Sequence, residues 1–124
     1  MLKISGNNTL KITQGDTGTL TINVTGATFG ADDRVQLTVA DKKKNVVLQK
    51  VAGFTNNAAE FEFANADTAD LEEGTYLWEL RFVTDATVSG SVITGGTDIE
   101  TPFDGAMPMQ IIDALADIGA TGGN

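Results

Sequence analysis

The chain has 124 residues, 17 acidic against 8 basic, a formal net charge of −9, and neither cysteine nor histidine. That length fits one domain with a self-sufficient core, and the acidity disfavours nucleic acid and anionic membranes as partners. Without cysteine there is no disulfide scaffold or thiolate chemistry, and without histidine the commonest metal ligand and general base is missing, which disfavours most hydrolase and zinc chemistries.

Met1 to Gly6 holds no apolar run long enough for a signal peptide or a membrane span, and none follows. The expectation is a protein that stays in the cytosol or in an assembly built there. Leu10 and Ile12, then Leu20, Ile22 and Val24 set among Thr19, Thr21, Asn23 and Thr25, predict two strands with one apolar and one threonine-rich face. Gln14-Gly15-Asp16-Thr17-Gly18 between them has the residues of a tight reversal, so these strands are expected to pair as a hairpin that begins the sheet. Gly26 to Asp33 reads as a connection. Val35, Leu37 and Val39 mark a third strand, Asp41 to Asn45 a turn, Val46 to Val51 the return strand, Phe54 to Ala58 a loop, and Glu60 to Phe63 a strand with both phenylalanines inward.

From Asn65 to Glu73 the chain is rich in aspartate and alanine, with Asp67 or Thr68 placed to cap a single helical turn before Leu71. Gly74 then restores an extended chain, so this corner is expected to cross from one sheet to the other. The strand that follows puts Tyr76, Trp78, Leu80 and Phe82 on one face, which needs a second sheet to cover it. Thr84 to Gly96 predicts a hairpin. Asp98 to Phe103 predicts a short strand interrupted by Pro102, Asp104-Gly105 a turn, and Met107 to Ala114 a last strand whose Pro108 places its start at a sheet edge. A helical stripe of Ile111, Ile112, Leu115 and Ile118 competes over Met109 to Ile118; closure of the sandwich favours the strand.

These elements predict an all-β, immunoglobulin-like antiparallel β-sandwich of about eight short strands, with one helical turn near Asp67 to Leu71. A single domain spans residues 1–118, and the glycine-rich Gly119 to Asn124 forms a flexible tail.

No residue set announces a reaction. The acidic pairs Asp32/Asp33, Asp67/Asp70, Glu72/Glu73 and Asp98/Glu100/Asp104 lack calcium-loop spacing and read as solvated turns and helix caps. Lys42-Lys43-Lys44 sits at a predicted hairpin tip, too narrow for a nucleic-acid footprint but open to contact with another acidic subunit. Asp16-Thr17-Gly18 is the triplet of retroviral-type aspartic proteases, yet the apolar flanks that chemistry needs are missing and a turn is the better reading. Tyr76 and Trp78 fit a core stripe better than a ligand platform, with the Tyr76 hydroxyl free to reach a backbone carbonyl at the corner. No catalytic, cofactor-binding or metal-binding residue is assigned, and no cofactor is expected.

Two stretches carry a resemblance: Ile12 to Thr17 with the strand Leu20 to Val24, and Ala66-Asp67-Thr68 with Leu71, Gly74, Tyr76 and the strand to Thr84. Their order resembles the N-terminal β-sandwich domain of the phage baseplate upper protein family, over about Leu10 to Ile112. The family's proteins usually continue into further segments, whereas this sequence ends after the sandwich with Gly122-Gly123-Asn124, so the expectation is a stand-alone module of the baseplate, neck, head-tail region or capsid surface.

The resemblance implies a non-enzymatic structural protein of a phage or prophage virion, assembled in the bacterial cytoplasm. Its edge strands and loops, chiefly Met1 to Asn8, Thr84 to Thr97 and the C-terminal segment, are expected to pack against other virion subunits or further copies of itself in closed symmetric rings. The alternative is a carbohydrate-binding or cell-surface adhesion domain using loop aromatics and carboxylates. An enzyme ranks third.

Overall fold

The computed structural model describes residues 3–4, 9–24, 28–100 and 107–112. In chain order the elements are β1 (Lys3–Ile4), β2 (Leu10–Thr13), β3 (Gly18–Asn23), β4 (Arg34–Ala40), β5 (Val46–Ala52), β6 (Ala58–Phe63), α1 (Asn65–Thr68), β7 (Gly74–Val83), β8 (Thr87–Ser89), β9 (Val92–Gly95), β10 (Ile99–Glu100) and β11 (Met107–Ile112). The all-β sandwich expected from the alternation is present. It has eleven described strands rather than about eight, because short pieces such as β1 and β10 add to the count.

The large sheet runs β1–β2–β11–β7–β4–β5, with β10 pairing β7 farther along its length. A second layer of only two strands, β3 and β6, lies over it, and β8–β9 form a separate hairpin. Alternation decides which side chains meet. Leu10, Ile12, Val35, Leu37, Val39, Tyr76, Trp78, Leu80, Phe82, Met109 and Ile111 from the large sheet join Leu20, Ala59, Phe61 and Phe63 from the small one in one buried cluster. Each fully buried large side chain there, such as Trp78, Phe61 or Leu37, contributes about 1.5–3 kcal/mol through loss of contact with water.

The expected β2/β3 hairpin does not form. β2 pairs in parallel with β11, Leu10 opposite Met109 and Ile12 opposite Ile111, while β3 pairs with β6. The two apolar faces therefore oppose each other across the core instead of sharing a sheet, and one ladder of the sandwich is parallel. The intervening turn is anchored elsewhere. Gly15, at φ 76°, donates its N–H to Thr68 Oγ1 at 2.9 Å, Asn65 Nδ2 donates to the Gly15 carbonyl at 2.8 Å, and Gln14 Nε2 donates to the Leu71 carbonyl at 2.6 Å. The α1 corner thus satisfies polar groups that a hairpin ladder would otherwise occupy.

Two further expectations differ from the structure, and the loop at Phe54 to Ala58 takes a definite form. The helical turn starts at Asn65 with Ala64 as its N-cap, so Asp67 is the third helical residue, and its carboxylate accepts the Ala64 N–H at 2.7 Å rather than forming the cap itself. Pro108 lies in a strand flanked on both sides, by β7 and β2; it is tolerated because the ladder to β2 begins one residue later, at Met109. Phe54 to Ala58 is a two-residue hairpin turn: Asn56 and Asn57 have φ 50° and 62°, as a type I′ turn requires, and Thr55 and Ala58 exchange backbone hydrogen bonds of 2.9 and 3.0 Å.

The strand rather than the helix holds over Met107–Ile112. The rest of that segment to Ile118, the tail Gly119 to Asn124, the stretch Thr101 to Phe103 with the Asp104-Gly105 turn, and most of Met1 to Asn8 lie outside the described residues.

Candidate interaction surfaces

The acidic corner is built around its buried residues. Thr68 is wholly buried and receives the Gly15 N–H, while Tyr76 points its ring into the core and donates its hydroxyl to the Glu72 carbonyl at 2.7 Å. This is the type of contact that fixes the tyrosine corner of immunoglobulin-like sandwiches. Burial first, then the Glu72 and Asp41 carboxylates, raises the pKa of the tyrosine. With Tyr76 and Trp78 at 8 % and 1 % exposure, neither offers a ring to a ligand. Asp16 occupies the anchored turn, with its N–H donated to the Thr13 carbonyl at 3.0 Å.

Two of the acidic residues singled out in the sequence, Asp33 and Asp67, bind their own chain. Asp33 accepts the Gly30 N–H at 2.7 Å on one oxygen and the Asp85 N–H at 3.1 Å on the other, tying two loops together. Asp67 accepts the Lys50 ammonium at 2.8 Å. Among the described residues, no group of three or more carboxylates is placed to hold a metal ion.

Asp41 shapes the β4–β5 tip. Its Oδ1 accepts the Lys43 and Asn45 N–H groups, both at 2.9 Å, its carbonyl accepts the Lys44 N–H at 2.9 Å, and Lys44 turns the chain at φ 67°. Hydrogen bonds, foremost from the Asn45 backbone, hold the Asp41 carboxyl below its usual pKa. The result is an ordered tip presenting exposed Lys42, Lys43 and Lys44.

The β8–β9 hairpin folds over the outer face of the large sheet. Ile93 donates its N–H to Gln36 Oε1 at 2.7 Å, and Val83, which faces away from the core, is buried at 4 % exposure. Gly96 lies against Val83 and the Thr84 carbonyl, closely enough that a side chain there would collide. A groove of about 150 Å³ remains beside the hairpin, lined by Gln36, Arg81, Val83, Ile93, Thr94 and Ile99.

At the far end of that outer face, the strand registers bring together four apolar residues that the sequence reading did not connect. Val46 lies opposite Ala40, Ala40 opposite Leu77, and Leu77 opposite Pro108, a row across β5, β4, β7 and β11. Val46 is 54 % exposed and Pro108 is exposed, with Ala40 and Leu77 half-buried. The signal in the sequence is Leu77 itself, an apolar residue in the polar phase between Tyr76 and Trp78.

A three-ring cluster at the loop end was also missed. Phe29 stacks on Phe54 with centroids 4.5 Å apart, and both pack against Phe82 at 5.3 and 6.0 Å. Asn57 holds it in place, accepting the Phe29 N–H at 2.8 Å and donating to the Val24 carbonyl at 2.9 Å.

No family model, curated protein or solved structure matches the chain.

Proposed function

We propose that the chain is a non-enzymatic structural subunit of a phage or prophage virion, assembled in the bacterial cytoplasm and acting through contacts with further copies of itself and other virion subunits. The observation that carries this reading is the outer face of the large sheet, where Val46, Ala40, Leu77 and Pro108 line up in register on four adjacent strands beside a basic tip. A rigid sheet that offers a row of apolar side chains suits protein association. Asp33 and Asp67, from two of the acidic pairs, are engaged in bonds that hold loops and corners. The order of the Gly15-Asp16-Thr17 turn and the Gly74-x-Tyr76 strand supports the same reading through its likeness to the baseplate upper protein family.

The test is the composition of particles. Phage particles induced from the source strain and purified through a density gradient are expected to contain this chain by mass spectrometry, in constant ratio to the major capsid protein. Its absence from particles, with the chain expressed in the lysate, overturns the reading.

Carbohydrate binding is the second reading. An open groove at the loop end, lined by Asn23, Arg34, Phe54, Asn56 and Glu60, combines a ring with polar groups as a sugar site does. Retention on immobilised glycans, abolished by Phe54→Ala with the fold intact, would favour it.

A further inference from the structure

We propose that the open groove at the loop end takes an acidic sugar, a pyranose bearing a carboxylate, with that carboxylate on the Arg34 guanidinium and the ring against Phe54. The proposal deepens the carbohydrate reading of this groove and rests on it. Arg34 opens β4 and is half-buried. Its Nη1 donates to the Ala31 carbonyl at 2.6 Å and to the Asp33 carbonyl at 2.8 Å, which fixes the guanidinium against the loop that precedes it. Among the described residues nothing accepts from its Nη2 or Nε. Those two nitrogens form the edge of a guanidinium that grips a carboxylate through two parallel hydrogen bonds. The neighbouring carboxylate, Asp33, is committed to the Gly30 and Asp85 N–H groups. On a chain with 17 acidic residues, Arg34 thus stands half out of water with only carbonyl partners among the described residues, held ready for an anion from outside.

The surroundings say what carries that anion. The groove measures about 910 Å³, and Arg34 and Glu60 are the only charged residues among the described ones that line it. Gly53, whose missing Cβ would lie 3.5 Å from Nη1, leaves the guanidinium uncovered on that side. Phe54 offers an apolar surface. Phe29 stacks on one of its faces at 4.5 Å, and Phe82, 5.3 Å from Phe29 and 6.0 Å from Phe54, lies beside the stack rather than over the other face of Phe54. Phe54 is half-buried and lines the groove, so its remaining face is open to the C–H face of a sugar ring. Asn23, Asn56 and Glu60 are exposed on the rim and supply donors and acceptors for hydroxyl groups. Glu60 also sets direction, because a carboxylate on the sugar is repelled from it and drawn to Arg34. One arginine suits one carboxylate per ring, whereas a phosphate polymer needs a broader basic face.

Amide NMR titration of the full chain, with its fold checked by Trp78 emission, gives both affinity and location. The probes are short oligosaccharides of galacturonic, glucuronic and mannuronic acid and their neutral counterparts. At least one acidic sugar is expected to bind about tenfold or more tightly than its neutral counterpart, with shifts centred on Arg34 and Gly53 to Asn56 and an affinity that falls with added salt. Arg34→Gln is expected to bring the acidic sugar down to the neutral level, and Phe54→Ala to weaken both. Because Arg34 also holds its loop, Glu60→Gln is the independent check: this exposed residue is expected to give about twofold tighter binding of the acidic sugar and no change for the neutral one.

Equal affinity for acidic and neutral sugars, a preference for acid that survives Arg34→Gln, or displacement of the acidic sugar by acetate at equal concentration overturns the proposal and leaves the carbohydrate reading standing. Absence of shifts with every member of the panel overturns both.

Discussion

The Tyr76 hydroxyl donates to the Glu72 carbonyl four residues upstream, at 2.7 Å, and so closes the corner where the chain passes from the small sheet to the large one. The ring supplies core volume and the hydroxyl supplies the lock. Tyr76→Phe keeps the ring and leaves the carbonyl at the corner without this donor. A loss of about 1 kcal/mol is expected, read as a lower urea midpoint at unchanged slope.

The same hydroxyl makes stability depend on alkaline pH. Its pKa in the folded chain is raised above the ordinary tyrosine value of 10.0, by burial and then by Glu72 and Asp41. Above pH 10 the unfolded chain therefore loses this proton while the folded chain still holds it, so stability falls as pH rises from there through the folded pKa. Tyr76→Phe is expected to flatten that alkaline slope in urea titrations run at increasing pH. An unchanged slope would place its origin in other groups.

Gly96 is required by space, not by backbone conformation. A methyl group added there would fall against Val83 Cγ1 and lie 2.7 Å from the Thr84 carbonyl oxygen, where the backbone cannot yield as a flexible side chain would. Gly96→Ala is expected to cost about 1–3 kcal/mol and to lift the β8–β9 hairpin from the sheet. Faster hydrogen exchange at the Ile93 amide, which loses its bond to Gln36, is the specific readout.

Alternation made most strands legible because a side-chain period of two survives any change of partner. Val35, Leu37 and Val39, or Phe61 and Phe63, are inward whichever strands they pair with. Pairing was not legible to the same degree. The residues of Gln14 to Gly18 suit a reversal within one sheet or a crossing between two, and the difference is made by Asn65, Thr68 and Leu71, some fifty residues away. The apolar row was invisible for the same reason: Val46, Ala40, Leu77 and Pro108 become neighbours only once three ladders are set in register.

Asn57 has two tasks, and two substitutions separate them. Its φ of 62° suits asparagine or glycine, and its side chain bridges the Phe29 N–H to the Val24 carbonyl. Asn57→Gly removes only the bridge, whereas Asn57→Ala removes the bridge and adds left-handed strain of about 1–2 kcal/mol. Alanine is therefore expected to be the less stable by about that margin in thermal or urea unfolding. Equal stabilities would mean that the turn relaxes out of the left-handed region.

Lys50 guards an exposed edge. It lies in β5, the outermost strand on its side of the large sheet, and belongs to the inward-facing phase, opposite Leu37. Its ammonium reaches across the layers to Asp67 at 2.8 Å and sits 5.8 Å from the centre of the Phe63 ring. A charge directed inward on an edge strand discourages a foreign strand from pairing there, because docking would trap the charge in a drier place. Exchange of Lys50 for an apolar β-branched residue keeps the strand propensity and removes that penalty. Lys50→Val is thus expected to change stability by no more than about 1 kcal/mol, since the pair it breaks is partly exposed. Its mark is a rise in concentration-dependent light scattering with gain of β signal on standing, which Lys50→Arg, retaining the charge, does not show. Scattering equal in both variants would assign protection of this edge to the bulge between Val39 and Ala40 instead.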